Sequence, residues 1–206
     1  MLKRIVLMAL LAAGPAAATQ EYILPTLFDV QDVAAGDVLN IRATPSASGE
    51  IIGTLAPNAT RIEVVGVDAS GKWGQVNAGE RPGWVSMRFL AYRTDVWEPG
   101  KLPDNLFCGG TEPFWSFHAE DGKLIWEQPG HEVALSGLKV MDSGVFRHPR
   151  RGLQVEDDHD TLTATIAPAQ CSDGMSDIVY GLEATVIMQT RDQAPQMYSG
   201  CCRIRR

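Results

Sequence analysis

The sequence predicts an all-β chain built from two small antiparallel domains. Three observations support this class. Short runs of alternating apolar and polar residues recur in both halves, turn residues separate them closely, and no segment has a helical period of useful length. Short strands punctuated in this way are typical of small barrels and sandwiches.

The first residues of the chain have the features of a secretory signal peptide, residues 1–18. Lys3 and Arg4 precede the apolar run Ile5–Leu11, and small residues end the segment at Ala18. This order predicts export, with cleavage after Ala18. A glycine and a proline interrupt the segment before the ~20 apolar residues of a spanning helix, which disfavours the alternative of an uncleaved anchor. We therefore expect a periplasmic or secreted protein with no membrane span after cleavage.

The charge balance argues against one class of partner. The chain has 25 acidic residues against 18 basic ones, and its formal net charge is −7. A negative surface repels phosphate backbones, and the short basic tail Arg203–Arg206 is too small to reverse this. We expect no nucleic-acid partner.

Four cysteines all lie in the second half of the chain: Cys108, Cys171, Cys201 and Cys202. In an exported protein an even set predicts a disulfide framework, here two bridges. The vicinal pair places its side chains on opposite faces of a strand, so a bridge between its two members is disfavoured. We expect Cys108 and Cys171 each to bond one member of that pair, and the sequence leaves open which one.

The sequence does not predict catalytic residues. A cysteine nucleophile would need a histidine base within reach. None of the four histidines lies in a local signature of a thiol enzyme: His118, His131, His148 and His159. The H-E-x-x-H motif of metalloproteases and the G-x-S-x-G motif of esterases do not occur either.

Residues 28–92 are predicted to form the first domain. Alternating residues predict strands at 38–42, 51–55, 61–67, 73–76 and 83–86, with polar turns between them. The parity of the alternation changes within 61–67 beside Gly66, where a bulge would let the chain bend round a barrel corner.

The segment LNIRATPSASGEIIGTL, followed by KWGQV and PGWVSMRFL, resembles the bacterial SH3 (SH3b) domain over about residues 30–91. The resemblance implies an SH3-like small barrel with an attachment role, because such domains commonly bind peptidoglycan peptides or other envelope ligands. Candidate contact residues are the polar and aromatic side chains Asn40, Arg42, Trp73 and Tyr92. The alternative places Trp73 and Trp84 in the barrel core and Arg42 on a solvated face.

Residues 93–105 contain two prolines and a glycine without periodicity and are predicted to be a linker. Residues 106–206 are predicted to form a second, disulfide-braced antiparallel β-barrel or sandwich. Its predicted strands are 114–119, 123–127, 132–141, 153–156, 161–167, 182–190 and 196–204. Threonine alternates with apolar residues over 161–166, which indicates one buried face.

Three motifs of the second domain resemble a family of uncharacterised bacterial envelope proteins with a GTEPFW signature. They are CGGTEPFW (108–115), CSDGMSD (171–177) and SGCCR (199–203), and the resemblance covers about residues 105–206. It implies a fold and a compartment, since the family has no established activity. An arginine usually follows the second Asp of its DGMSD motif, whereas this chain has Ile178, so we assign that position no role.

Acidic residues raise the question of a metal ion or an acid–base pair. The run 156–160 has oxygen ligands but lacks the spaced pattern of a calcium loop. Asp173 and Asp177 are more simply explained by a tight turn, and Glu112 by bonds to backbone donors or a basic partner. A glycosidase-type acid–base pair needs two carboxylates at a defined separation, which the sequence does not provide. We expect no metal and no cofactor.

These observations predict an exported binding protein without enzyme activity. The SH3b half would dock on peptidoglycan or another envelope ligand, and the second domain would bind an unknown partner. The first alternative is an inhibitor of, or an accessory to, a cell-wall enzyme. The second is a cell-wall hydrolase, because SH3b domains often accompany such catalytic domains.

Overall fold

The structure is a computed structural model that describes residues 22–157, 160–190 and 194–204. The predicted signal peptide lies outside the described residues. In the described part of the chain, the only regular elements are seventeen β-strands and one short 3₁₀ helix, Met87–Phe89, so the predicted all-β class is confirmed. No helix in this part is long and apolar enough to cross a membrane.

The N-terminal half, residues 22–92, consists of short strands. They are β1 (Thr26–Val30), β2 (Leu39–Arg42), β3 (Ile51–Leu55), β4 (Ile62–Val64), β5 (Gly66–Val67), β6 (Trp73–Ala78), β7 (Arg81–Ser86) and β8 (Leu90–Tyr92). They form two antiparallel sheets, β4-β1-β8 and β3-β2-β7-β6-β5. The two sheets enclose one core of mostly aliphatic side chains, including Leu39, Ile41, Val76 and Val85. In β2 the buried and half-buried residues alternate, which is why this strand was predictable from its sequence.

The segment predicted as one strand at 61–67 is divided at Val65. Its first part, β4, belongs to the three-stranded sheet, and its second part, β5, belongs to the five-stranded sheet. At this point the Val65 N–H donates to the Gln75 carbonyl of β6 (3.0 Å). The change of parity in the sequence therefore marks a corner where the chain passes from one sheet to the other.

The C-terminal half, residues 106–204, is one nine-stranded antiparallel sheet that curls into a half-barrel. Its strands are β9 (Leu106–Thr111), β10 (Phe114–Glu120), β11 (Lys123–Gln128), β12 (His131–Leu135), β13 (Lys139–Asp142), β14 (Arg151–Glu156), β15 (Asp160–Cys171), β16 (Tyr180–Thr190) and β17 (Gln196–Ile204). Their order is β12-β11-β10-β9-β17-β16-β15-β14-β13. The last strand of the chain therefore lies beside the first strand of this half.

The single strand predicted at 132–141 is wrong. The chain forms β12 and β13 instead, and these two strands lie at opposite edges of the sheet. Gly137 between them has φ +78°, a left-handed conformation that glycine adopts without strain and that a continuous strand does not contain. By contrast, the face predicted from the alternating threonines of β15 is confirmed, because Leu162, Ala164 and Ile166 are buried and the threonines between them are exposed.

Stacked aromatic rings fill one end of the half-barrel. Trp115 lies 5.2 Å from Trp126 with the rings 10° apart, and 5.9 Å from Phe117. Tyr198 meets the edge of Trp126 at 5.1 Å. The Trp115 indole N–H donates to the Ser199 carbonyl of β17 (3.3 Å). These rings pack face to face and edge to face, as aromatic side chains in protein cores prefer.

The glycines of CGGTEPFW are explained by this packing. A Cβ atom at Gly110 would lie 2.3 Å from the Trp115 indole nitrogen and 2.6 Å from the Ser199 carbonyl oxygen. A Cβ atom at Gly200 would lie 2.2 Å from the Gly109 carbonyl oxygen. Neither position has room for a side chain, because β9, β17 and the indole approach one another so closely.

Two disulfides crosslink the C-terminal half, as predicted. Cys108 bonds Cys202, its direct partner across β9 and β17, and Cys171 at the end of β15 bonds Cys201. The vicinal cysteines therefore serve two different bridges, because adjacent residues of β17 point to opposite faces of the sheet. No free cysteine is present in the described residues.

The segment 93–105 contains no strand and packs against the C-terminal half. Trp97 is only 3% exposed, and its indole N–H donates to the Pro25 carbonyl (2.8 Å). The buried Arg151 guanidinium lies 5.1 Å from the centre of the Trp97 ring. It also donates to four backbone carbonyls, those of Glu98, Lys101, His148 and Arg150. This one cation thus ties the segment to the sheet.

Three further contacts join the halves. The Asn77 side-chain amide donates to the Val179 carbonyl (2.9 Å), and its oxygen accepts the Val179 N–H (3.0 Å). The Glu63 carboxylate accepts the Ile204 N–H of β17 (3.0 Å). Leu27 of β1 is buried in the core of the C-terminal half. The two halves therefore share both apolar and polar contacts.

Candidate ligand-binding face

The outward face of the five-stranded sheet carries most of the predicted contact residues. Arg42 of β2 lies directly opposite Trp84 of β7, and Trp84 lies directly opposite Gln75 of β6. Residues that face each other across strands project from the same side of a sheet, so these three form a row. Asn40 and Trp73 are two positions from Arg42 and Gln75 and share their face. We call these five residues the outer face.

Side chains of the outer face are half-buried, while the alternating residues between them are buried. Gly83 and Val85 on either side of Trp84 are buried, as are Gly74 and Val76 along β6. The alternative that Trp73 and Trp84 belong to the core is therefore wrong. Both residues lie on the side of the sheet that points away from the core, and each is only partly buried.

Local hydrogen bonds hold the outer face in place. A guanidinium nitrogen of Arg42 donates to the Gly49 carbonyl (2.7 Å), which fixes the turn between β2 and β3. The register of those strands shifts between Ile41 and Arg42, so a bulge directs the Arg42 side chain. The Trp73 N–H donates to the Asp68 carboxylate (2.8 Å). The pKa of the Asp68 carboxyl is lowered by hydrogen bonds, of which the bond from the Ser70 hydroxyl has the largest effect.

Tyr92, the fourth predicted contact residue, is not on the outer face. It lies on β8 in the three-stranded sheet, opposite Phe28. Its ring centre is 5.4 Å from those of both Tyr22 and Phe28, and it packs against the core of the N-terminal half. The structure thus brings Asn40, Arg42 and Trp73 together and places Tyr92 in a separate aromatic cluster.

Gln75 was not among the predicted contact residues, and Trp84 was considered only as a core residue. Period-two alternation along PGWVS was a signal that could have found Trp84, because a buried Gly83 and Val85 require the residue between them to face outward. Gln75 becomes a candidate only through its register with Trp84, which links residues from two strands.

A second exposed surface lies at the GTEPFW turn of the C-terminal half. Phe114 is 53% exposed and lines a cleft of about 980 Å³ beside Glu112, Gln128 and His131. Met175 of the DGMSD loop is 70% exposed. It lines a smaller cleft that also contains Glu112. Large apolar side chains exposed beside polar ones are typical of contact surfaces.

The DGMSD loop is organised by Asp173. Its carboxylate accepts hydrogen bonds from the Met175 N–H (3.0 Å), the Ser176 N–H and hydroxyl (2.8 and 2.7 Å) and the Tyr180 hydroxyl (3.0 Å). Partial burial opposes ionisation, but these bonds outweigh it and lower the pKa of Asp173 to about 2. The acidic side chain thus closes a tight turn, as the Asp-Gly sequence predicted.

The acidic run 156–160 lies partly outside the described residues. In the part that the structure describes, no three histidine, cysteine, aspartate or glutamate side chains converge in a way that could hold a metal ion. Glu112 is exposed. Among the described residues it has neither the backbone donors nor the basic partner that were expected for it.

Comparison with known proteins gives a match within the N-terminal half. Residues 37–91 match the family model described as bacterial SH3 domain. No curated protein and no solved structure is significantly similar to the chain. The match includes β2, β3, β6 and β7, and with them every residue of the outer face. Residues 37–91 of this chain are a bacterial SH3 domain.

Proposed function

We propose that this protein is an exported, non-enzymatic binding protein of the cell envelope. Its SH3 domain docks on peptidoglycan or another envelope ligand through the outer face. The C-terminal half binds a partner through the exposed surface at the GTEPFW turn, which includes Phe114 and Met175. One observation carries the proposal: a bacterial SH3 domain presents Arg42, Trp84 and Gln75 in a row, with Trp73 on the same face.

The chemistry of the outer face suits a peptide or sugar ligand. Half-exposed indoles provide flat apolar area at small cost in conformational entropy. A guanidinium matches the geometry of carboxylates, and the amides of Asn40 and Gln75 both donate and accept hydrogen bonds. Since their strands are bonded to one another, these groups are held in place before the ligand arrives.

The proposed location outside the cytoplasm is supported by the cysteines. All four of them are in disulfides, which persist in oxidising compartments and are rare in the cytosol. The predicted signal peptide agrees with this location and stays a prediction.

The partner surface of the C-terminal half is supported by the exposed Phe114 and Met175, which flank the GTEPFW turn. Exposed aromatic and methionine side chains are enriched at protein interfaces. The resemblance of this half to envelope proteins with a GTEPFW signature would agree with a role in that compartment, and it stays a prediction.

Docking is tested by pull-down of the mature protein with purified sacculi at low salt. We expect the protein in the pellet, and we expect Trp84→Ala to move most of it to the supernatant. Phe146→Ala is the matched control, because this exposed aromatic lies in the C-terminal half, away from the outer face. Wall docking is contradicted if the unaltered protein stays in the supernatant. The outer face is contradicted if both variants bind alike.

A zymogram with the same protein addresses the enzyme alternative. We expect no clearing of peptidoglycan, since a bacterial SH3 domain is a binding module. Clearing that depends on a residue of the C-terminal half would instead make the protein a hydrolase.

A further inference from the structure

A cleft of about 590 Å³ lies between the two halves. The N-terminal half contributes the edges of β3, β4 and β6, and the C-terminal half contributes the end of β17 and Ile178. Its volume falls in the range of about 300 to 1,000 Å³ that is typical of small-molecule sites. Clefts between packed units of a chain are also a frequent location for such sites.

Two opposite charges line the cleft without pairing directly. One oxygen of the Glu63 carboxylate accepts the Ile204 N–H, and the other has no hydrogen-bond partner among the described residues. The Arg203 guanidinium attracts Glu63 through space. The Arg203 side chain nevertheless forms no ion pair or hydrogen bond with any residue that the structure describes. A carboxylate and a guanidinium thus stand apart in the same cleft.

The rest of the wall is mainly aliphatic. The Arg61 guanidinium also lines the cleft and donates to the Asp104 carbonyl (3.1 Å). The polar Thr54 and Asn77 contribute to the wall, and its apolar residues include Ile41, Ile52, Leu55, Ile62, Val76, Ala78 and Ile178. The Asn77 side chain already makes two hydrogen bonds with the backbone of Val179, so it joins the two halves at the wall of the cleft. The cleft therefore combines one carboxylate, the Arg203 guanidinium without a side-chain partner, the Arg61 guanidinium that is already bonded to Asp104, and an apolar surface.

We propose that this cleft binds a small zwitterion with an aliphatic side chain, of the class of aliphatic amino acids and dipeptides. The ligand's ammonium group donates to the free oxygen of Glu63, and its carboxylate accepts from the Arg203 guanidinium. Its side chain lies against the isoleucine and valine wall. The ligand completes a charge pair that the protein alone leaves open, and it contacts both halves at once.

This site is separate from the outer face. Ile41 and Val76 point into the barrel, whereas their neighbours Arg42 and Gln75 point outward. The proposal consequently does not depend on the proposed docking function, and Trp84→Ala should leave zwitterion binding unchanged.

The protonation state of Glu63 should make the affinity for the ligand depend on pH. Burial between the halves, opposed by the Ile204 N–H and by Arg203, raises the pKa of Glu63 to about 7. Two charged residues share the cleft wall with Glu63: Arg203 on β17 and Arg61, which precedes β4. The cross-strand neighbour of Glu63 on β1 is the uncharged Leu27. Ionised Glu63 is the form that binds an ammonium group. From pH 6 to pH 7, where the ligand stays charged, affinity should rise about fivefold with the ionised fraction.

The test is calorimetric titration of the mature chain with free leucine and with the dipeptide alanyl-leucine. We expect at least one of them to bind, and their relative affinities distinguish a free amino acid from a peptide as the source. N-acetylation removes the ammonium group and amidation removes the carboxylate. Each modification should weaken binding at least tenfold, because each leaves the half-buried Glu63 or Arg203 without its partner.

Variants localise the site. Glu63→Gln and Arg203→Gln should each weaken binding at least tenfold, and Glu63→Gln should abolish its pH dependence. Arg88→Gln, at an exposed arginine away from the cleft, should bind as the unaltered protein does. The proposal is overturned if neither probe binds at millimolar concentration, or if the capped and free forms bind equally. The capped ligands need no variant, so that result holds even if a substitution prevents folding.

Discussion

The N-terminal half encloses aliphatic side chains between two sheets of short strands, whereas the C-terminal half curls one sheet around stacked aromatic rings. The N-terminal half has no disulfide among its described residues, and the C-terminal half has two. The N-terminal sheets have three and five strands, and their edge strands β4, β8, β3 and β5 are two to five residues long. The half-barrel leaves β12 and β13 unclosed, and its covalent bonds lie at the centre of the sheet, on β17. The crosslinks therefore secure the half that consists of a single nine-stranded sheet.

The largest expected effect comes from removing these crosslinks. The loops closed by Cys108–Cys202 and Cys171–Cys201 span 94 and 30 residues. In the chain-entropy model, bridges over such loops stabilise by about 4 to 5 and about 3 to 4 kcal/mol. The double variant Cys108→Ala with Cys202→Ala should therefore lose more stability in urea unfolding than Cys171→Ala with Cys201→Ala.

Hydrogen exchange on the same variants sharpens the comparison of the halves. The strands β9 and β17 should lose protection, while β2 and β7 of the N-terminal half should retain it. Equal loss in both halves would show that the crosslinks stabilise the chain as one unit.

The second prediction compares tryptophans from the two halves. Trp115 is only 4% exposed and stacks on two other rings, so Trp115→Ala should destabilise by about 3 to 5 kcal/mol. Trp84 is half-buried on the outer face, so Trp84→Ala should cost roughly 1 kcal/mol. Thermal unfolding of both variants measures the difference. A loss near zero for Trp115→Ala would mean that the ring is not part of the core.

The third prediction concerns the contact between the halves. The pKa of Glu63 is raised from 4.5 to about 7, so the folded state binds this proton more tightly than the unfolded state. Its contribution to stability is complete below pH 4.5 and is lost as the pH rises to about 7. Glu63→Gln keeps an acceptor for Ile204 and removes the charge, so the variant should be more stable at pH 8 by up to about 3 kcal/mol.

This prediction is measured as the difference in free energy of unfolding between variant and unaltered protein at pH 5 and pH 8. Glu112→Gln is the control, because that side chain is exposed and should give the same difference at both values. A Glu63→Gln difference that does not change with pH would contradict the raised pKa.

The smallest effect is expected at Asn77. Its side chain makes two hydrogen bonds with Val179, so Asn77→Ala leaves an N–H and a carbonyl of the C-terminal half without partners. We expect a loss of about 1 to 2 kcal/mol in urea unfolding. Asn58→Ala, at an exposed turn, should change little. If the two variants are equally stable, these bonds do not contribute to the packing of the halves.

Much of the fold could be predicted from local patterns. Strands with one buried face, such as β2 and β15, alternate in their residue types and were identified. β1 was missed because its adjacent residues Leu27 and Phe28 are both buried, one in each core. Such a strand shows no alternation. β9 was missed because Gly109 and Gly110 indicate a turn, although close approach of the indole is what requires glycine at 110.

The candidate sites were less predictable. Asn40, Arg42 and Trp73 were identified by residue type and by the SH3 resemblance, and the structure brings them to one face. Their row with Trp84 and Gln75 depends on the register of three strands. The cleft is lined by residues that are 140 positions apart in the chain, since Glu63 and Arg203 face the same space only when the halves pack.

The all-β class and the division of the vicinal cysteines between two bridges could be read from the sequence by local rules: the two-residue period of a strand, the spacing of turns and the opposite directions of adjacent side chains. The bacterial SH3 domain was recognised from the similarity of its motifs. The pairing of the cysteines, the division of one predicted strand into the two edges of a sheet, and the contents of the cores required the folded structure. These features depend on pairing between distant segments, and chain order does not specify that pairing until the sheets close.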